Sequence, residues 1–162
     1  MESVRAATTD DLAPVIALVD EFVEEQRGLR GGRVWAALEA PRLAPEAVAA
    51  VLDDSCAPDG HHLVLLGCID DAVVGLAVVA FDNLVGSAPL AVIRVLHVHP
   101  DAREVGVGSA LLDAVVDAAS QRRCSGVDAT VLPGNRNAKN FFEMHGLVAR
   151  AISVHRAVGE GS

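Results

Sequence analysis

Apolar positions along this 162-residue chain recur with two different periods, and the switches between them predict a mixed α/β order. Residues 4–7 read as a short strand. A helix is expected over Leu12–Arg27, capped by Thr9 or Asp10, with Asp11 at its first turn and Pro14 early enough to be tolerated. Gly28, Gly31 and Gly32 interrupt the pattern, and a second helical stretch covers residues 45–54. Pro58, Asp59 and Gly60 make a turn. Two apolar runs, His62–Ile69 and Ala72–Asp82, then flank Asp70 and Asp71, which predicts a hairpin. Residues 83–89 form a longer loop. Residues 90–99 are rich in β-branched side chains and stop at Pro100, as a strand does. The following segment keeps Val107, Leu111, Leu112, Val115 and Ala119 on one side of a 3.6-residue period, with Asp113 and Asp117 on the other. That is an amphipathic helix. A short strand over 127–132 follows, and a weakly alternating tail over 151–158 reads as a last strand. Residues 159–162 are expected to be loose. No repeat, low-complexity tract or linker divides residues 1–162, so one domain is expected.

Between the strand and the amphipathic helix lies Arg103-Glu104-Val105-Gly106-Val107-Gly108, which reads Arg-x-x-Gly-x-Gly and leads into Ser109. The first N–H groups of a helix have no intrahelical partner and sit at the positive end of its dipole, so they form a ready anion site. Glycines at 106 and 108 would let a phosphate approach the backbone, and Arg103 could add a charge-assisted contact. The alternative is a tight strand-to-helix turn and nothing more. Neither common nucleotide motif is present. The loop lacks the closing Gly-Lys-Ser/Thr of a P-loop and the third glycine, near Leu111, of a dinucleotide fingerprint.

Composition narrows the classes. Hydrophobic residues make up 51% of the chain but aromatic ones only 3%, so Val, Ala and Leu must fill the core. The net charge of −9 argues against a nucleic-acid partner, which needs a basic footprint, and suits a cationic amine. Cys56, Cys68 and Cys124 are odd in number and far apart, as reduced thiols packed as small hydrophobes would be; no metal spacing appears. Charged residues among the first twenty argue against a signal peptide, and Asp70-Asp71 split the longest apolar stretch, so no membrane segment is expected. A cytoplasmic location follows as an expectation.

A second segment adds specificity. Asn135, Ala138, Phe141, Phe142, Gly146 and Leu147 are spaced as Asn-x-x-Ala-x-x-Phe-Phe-x-x-x-Gly-Leu, after the strand at 127–132. Together with Leu96-His97-Val98-His99-Pro100 and the Arg-x-x-Gly-x-Gly loop, this resembles the GNAT superfamily of acyl-CoA-dependent N-acyltransferases. The likeness spans roughly residues 3–157, with its sharp motifs between 94 and 147. It implies a central, mostly antiparallel sheet with two splayed strands and flanking helices. It also implies acetyl-CoA as co-substrate and no metal. The diphosphate would lie on residues 103–109 (Arg103, Glu104, Val105, Gly106, Val107, Gly108 and Ser109), and the pantetheine arm on Leu96, Val98, Asn135, Ala138 and Phe142. The backbone N–H of Val98 would polarise the thioester carbonyl. Asn135 as a plain helix cap is the competing reading.

The same resemblance implies direct attack by a primary amine, from a small molecule or a peptide, and admits a homodimer. Two features depart from it. Phe142 stands where relatives usually carry tyrosine, whose hydroxyl protonates the departing thiolate, and the chain has no tyrosine. A thiol with pKa near ~8.5 leaves readily without that help. The general base is not evident: relatives often place Glu where this chain has Val92 or Thr130. His97 is the nearest imidazole, but in a regular strand it points opposite to Arg94 and Leu96 unless a bulge reverses it. Arg94 could bind a substrate carboxylate or pair with an acidic neighbour. Glu21, Glu24 and Glu25 could attract an amine or order a water, or form a solvated helix face. Residues 20–60 and 82–92 would bind the acceptor. The alternative function is a catalytically weak or inactive GNAT-like module that binds acyl-CoA as a sensor.

Overall fold

The fold is seen in a computed structural model that describes residues 1–159. Strands β1 (Glu2–Ala6), β2 (His62–Ile69), β3 (Ala72–Asp82), β4 (Leu90–Val98) and β5 (Gly126–Ala129) form one sheet in the order β1-β2-β3-β4-β5. The first three pairings are antiparallel and β4–β5 is parallel. Three helices precede β2: α1 (Leu12–Arg27), α2 (Gly32–Glu39) and α3 (Pro45–Cys56). Helix α4 (Val107–Gln121) crosses from β4 to β5, and α5 (Arg136–Met144) follows.

The sheet carries a core on each face. On one, Val15, Leu18, Val19 and Val23 of α1 and Val48 and Leu52 of α3 meet Leu66, Leu76 and Val95. On the other, the five apolar positions of α4 meet Ala77, Val79, Ala91 and Ile93. Helices on both sides explain why β2 and β3 read as nearly unbroken apolar runs. A Cβ at Gly67 or Gly75 would stand 2.5 or 2.9 Å from Val107 Cγ1, so two glycines let α4 press onto the sheet.

One irregularity controls the rest. Val78 pairs with Val95 but Val79 pairs with Ile93, so Arg94 is an extra residue in β4, a β-bulge. Before it, Ala91 and Ile93 face α4; after it, Val95 and His97 face α1. Pairing of β4 with β5 ends at Ile93 and Ala129, and the strands part beyond.

Three expectations need correction. β5 stops at Ala129 and not at Leu132, because the β4 partner turns away at the bulge. Helix α2 was not anticipated, since Gly31 and Gly32 read as breakers; Gly31, at φ 85°, is in fact its left-handed N-cap. The tail over 151–158 forms no strand, and Ile152, Val154 and Val158 stay exposed. Just before it, Arg150 grips the Asp128 carboxylate of β5 and holds it below the usual carboxylate range. The loose end expected at 159–162 lies, from residue 160 on, outside the described residues.

Candidate functional site

At the end of β4, the His99 N–H donates to the Val74 carbonyl at 2.7 Å. Backbone groups alternate sides along a strand, so the amides of Leu96 and Val98 point away from β3, into the opening beside β5. Neither has a strand partner there, because the β4–β5 ladder has already ended.

The opening leads to the start of α4. Arg103 closes a 3₁₀ turn over Pro100–Ala102, Glu104 takes φ 69°, and exposed Val105 precedes Gly106 at φ 91°. The first backbone bond of α4 joins the Ala110 N–H to the Gly106 carbonyl at 3.0 Å. The N–H groups of Val107, Gly108 and Ser109 therefore precede the ladder. The two glycines differ in kind. Gly106 is needed for its positive φ. Gly108 is helical, and a Cβ there would meet Phe141 and Val98 at 3.6–3.7 Å, an ordinary contact. Nothing in the protein's own packing demands a glycine at 108, and its lack of a side chain leaves the helix start bare. The tight-turn reading explains Gly106 and not Gly108. An acyl-CoA diphosphate and arm fit a bare helix start that opens onto unpaired strand amides.

Arg103 departs from expectation. Its Nε donates to the Val98 carbonyl at 2.9 Å and its Nη2 to Glu25 Oε2 at 2.6 Å, so the guanidinium is turned toward α1. The loop offers an anion backbone donors before side-chain charge. Beside it, His145 Nε2 lies 3.1 Å from Ser109 Oγ, and its ring stacks on Phe141 at 4.5 Å. Asn135 Oδ1 accepts from the Ala138 N–H at 3.1 Å, so this side chain caps α5. Ala138 lies half-buried over the second core, and Phe142 is inside it, 9% exposed.

The bulge turns His97 to the other face, with its side chain 3% exposed. Its Nε2 is 2.9 Å from Glu21 Oε2, its Nδ1 is 3.7 Å from Glu25, and Phe22 packs edge-on against the ring. Glu21 Oε1 also reaches His99 Nε2 at 3.4 Å. Glu21 and Glu25 are thus partners of His97, His99 and Arg103, which sequence reasoning missed. The signal was available in part: an i, i+4 pair of acids flanks the apolar stripe of α1.

On the same face lies a cavity of about 310 Å³ between α1, α2 and the parting ends of β4 and β5. Phe22 and Trp35 wall it, their rings 5.6 Å apart; Val92 and Thr130 line it, and the carboxylates in its lining are those of Glu39 and Asp82. Its lining draws on residues 22–51 and 80–94, overlapping the segments expected to bind an acceptor. Among the described residues, no three His, Cys, Asp or Glu side chains are grouped to hold a metal, and no helix is long and apolar enough to cross a membrane.

A model of the acetyltransferase (GNAT) family matches residues 23–147. No curated protein matches the sequence. Among solved structures, a transcriptional regulator from Bacillus halodurans C-125 is similar, with 22% identity and a TM-score of 0.71, over 98% of this chain and 100% of that one. A ribosomal-protein-alanine N-acetyltransferase from Brucella melitensis biovar Abortus 2308 shares 17% identity at TM-score 0.68, over 98% and 100%. An aminoglycoside N-acetyltransferase in complex with CoA shares 17% at TM-score 0.73, over 97% and 95%. At these identities the likeness is one of fold.

Proposed function

Since this chain belongs to the acetyltransferase (GNAT) family, whose model matches residues 23–147, we propose that it transfers the acetyl group of acetyl-CoA to a primary amine by direct attack. The observation that carries the proposal is the pair of unpartnered amides, Leu96 and Val98, in an opening that leads to the bare helix start at Gly108. Acetyl-CoA supplies an activated thioester. The protein's part begins with the N–H groups of Val107, Gly108 and Ser109, which hold the diphosphate at the positive end of α4. Leu96 pairs its backbone with the pantetheine arm, as an added strand would. The Val98 N–H meets the thioester oxygen as negative charge develops there, a preorganised donor of the oxyanion-hole type.

The amine must be neutral to attack. A lysine-like ammonium with pKa near 10.4 costs about 4.6 kcal/mol to deprotonate at neutral pH. His97 is buried against Phe22, a wall of the cavity, so the proton travels through water to the His97–Glu21–His99 set, whose carboxylate is 37% exposed and returns it to solvent. Phe142 gives the leaving thiolate no proton, and solvent supplies it.

The buried Phe142 also favours a second reading, a module that binds acyl-CoA without turnover. Calorimetric titration with acetyl-CoA, ATP and NAD, followed by turnover on a panel of amines, separates the cases. A strong preference for acetyl-CoA with CoA release on amine addition is the expected result. Preference without release on any amine leaves the binding module. Equal binding of all three, or none, removes both readings.

A further inference from the structure

The cavity beside the bulge carries charges that its size makes informative. Two arginines and two acids face it, and each pair is loose. Arg94 Nη2 is 3.7 Å from Asp82 Oδ2, and Arg42 Nη1 is 3.9 Å from Glu39 Oε2. Both separations exceed hydrogen-bond length, so the forked donors of Arg94 retain room for a bidentate partner. The fifth ionisable group, His62, is taken by Asp54 at 2.6 Å. Gln26 lies on the α1 wall, but its Oε1 is closed off from solvent and is not one of the groups a ligand would meet. Between these groups stands the aromatic wall of Phe22 and Trp35. A volume of about 310 Å³ is at the small end of ligand pockets, which begin near ~300 Å³.

A balanced set of two cations and two anions attracts neither a polycation nor a polyanion. It suits a ligand carrying one charge of each sign. The apolar wall suits a hydrocarbon side chain. We propose that this cavity binds a free α-amino acid with an apolar side chain as the acetyl acceptor, its carboxylate on Arg94 and its amino group toward Asp82. The proposal rests on the acetyl-transfer reading above and names the substrate class of that site. Arg94 is the bulge residue itself, so the device that parts β4 from β5 also aims the carboxylate anchor at the opening.

The reaction balances without a further reactant. The ammonium loses one proton to solvent, and the neutral nitrogen forms the bond to the acetyl carbon. The carbon–sulfur bond breaks with its electron pair on sulfur, and the second nitrogen proton ends on the thiol. The products are an N-acetyl amino acid and CoA.

The test compares L-phenylalanine with L-phenylalaninamide, which keeps the amine and ring and loses the carboxylate. Binding to the protein alone is measured by calorimetry. The acid is expected to bind about tenfold to hundredfold more tightly than the amide, the range of a charge-assisted bidentate contact. In Arg94→Gln that ratio should fall to about one, with binding of the amide retained as the check on folding. Equal binding of acid and amide by the unaltered protein, or no binding of either, overturns the proposal whatever the variant does. Acetyl transfer is then followed by the appearance of N-acetyl-L-phenylalanine. Discriminating binding without that product supports the ligand class and removes the acetyl-transfer reading, so the two failures are distinct.

Discussion

Gly108 and His97 show how differently single residues depend on their surroundings. Gly108 occupies a helical position with space for a methyl group. Gly108→Ala should therefore stabilise the fold by about 0.5–1 kcal/mol in denaturant unfolding, the usual gain of alanine over glycine in a helix. The same methyl group stands where a diphosphate would approach, and acetyl-CoA affinity should fall by about tenfold or more, equal to at least ~1.4 kcal/mol. Greater stability with unchanged affinity would show that the glycine serves only the turn. The motif itself was legible, because glycine spacing and the loop's position are local. The setting of His97 was not. Its partner Glu21 lies 76 residues away on α1, and only the bulge at Arg94 turns the ring toward it. Asn135 was read two ways, and its side chain takes the local one, since the Ala138 N–H is three residues on and always within reach.

At the scale of elements, the apolar periods predicted α1, β2, β3 and α4 closely. The five residues assigned to the buried side of α4 are the five found buried. Those elements have a full apolar face, so the pattern and the packing coincide. β5 and the tail lack such agreement: their extent depends on whether a neighbouring strand is present. The contact of α4 with the sheet is tight enough to test. Gly67→Ala would drive a Cβ to 2.5 Å from Val107 Cγ1, and a β-branched residue at the first turn of a helix has little freedom to yield. We expect a loss of about 1–3 kcal/mol in denaturant unfolding, the cost of overpacking. Weaker acetyl-CoA binding should accompany it, because Val107 is the residue between Gly106 and Gly108. A variant as stable as the parent would mean that α4 sits farther from the sheet than described.

For the whole molecule, the two-sided sheet divides the labour. The α4 face and the parting strands hold the glycine loop and the bare helix start, and the α1 face holds the histidine–carboxylate set and the cavity. Residues 148–159 take part in neither, and Val148, Ile152, Val154 and Val158 lie exposed. Deleting residues 150–162 should shift the thermal midpoint by no more than about 2 °C at pH 7, since exposed side chains contribute little. The Asp128 carboxyl should return toward its ordinary value near ~3.9 in an NMR titration. The sign follows from linkage. A carboxyl depressed in the folded state contributes stability above its unfolded pKa and loses it as pH falls through the folded one. The intact chain should therefore lose more stability on acidification below about pH 4 than the truncated chain does. A large fall in the midpoint at pH 7 would mean that the tail packs against the body.

The sequence by itself determined what depends on neighbours within a few residues: the helices and strands with a full apolar face, the buried side of α4 and the glycine loop at a helix start. Those features follow from backbone geometry and from the 2.0- and 3.6-residue periods, which a chain carries before it folds. The tertiary structure alone decided which way His97 faces and how Arg94, Gln26, Phe22 and Trp35 come to share one cavity. Those outcomes turn on one extra residue in β4. A bulge is defined by the strand it pairs with, so no local pattern in β4 can announce it.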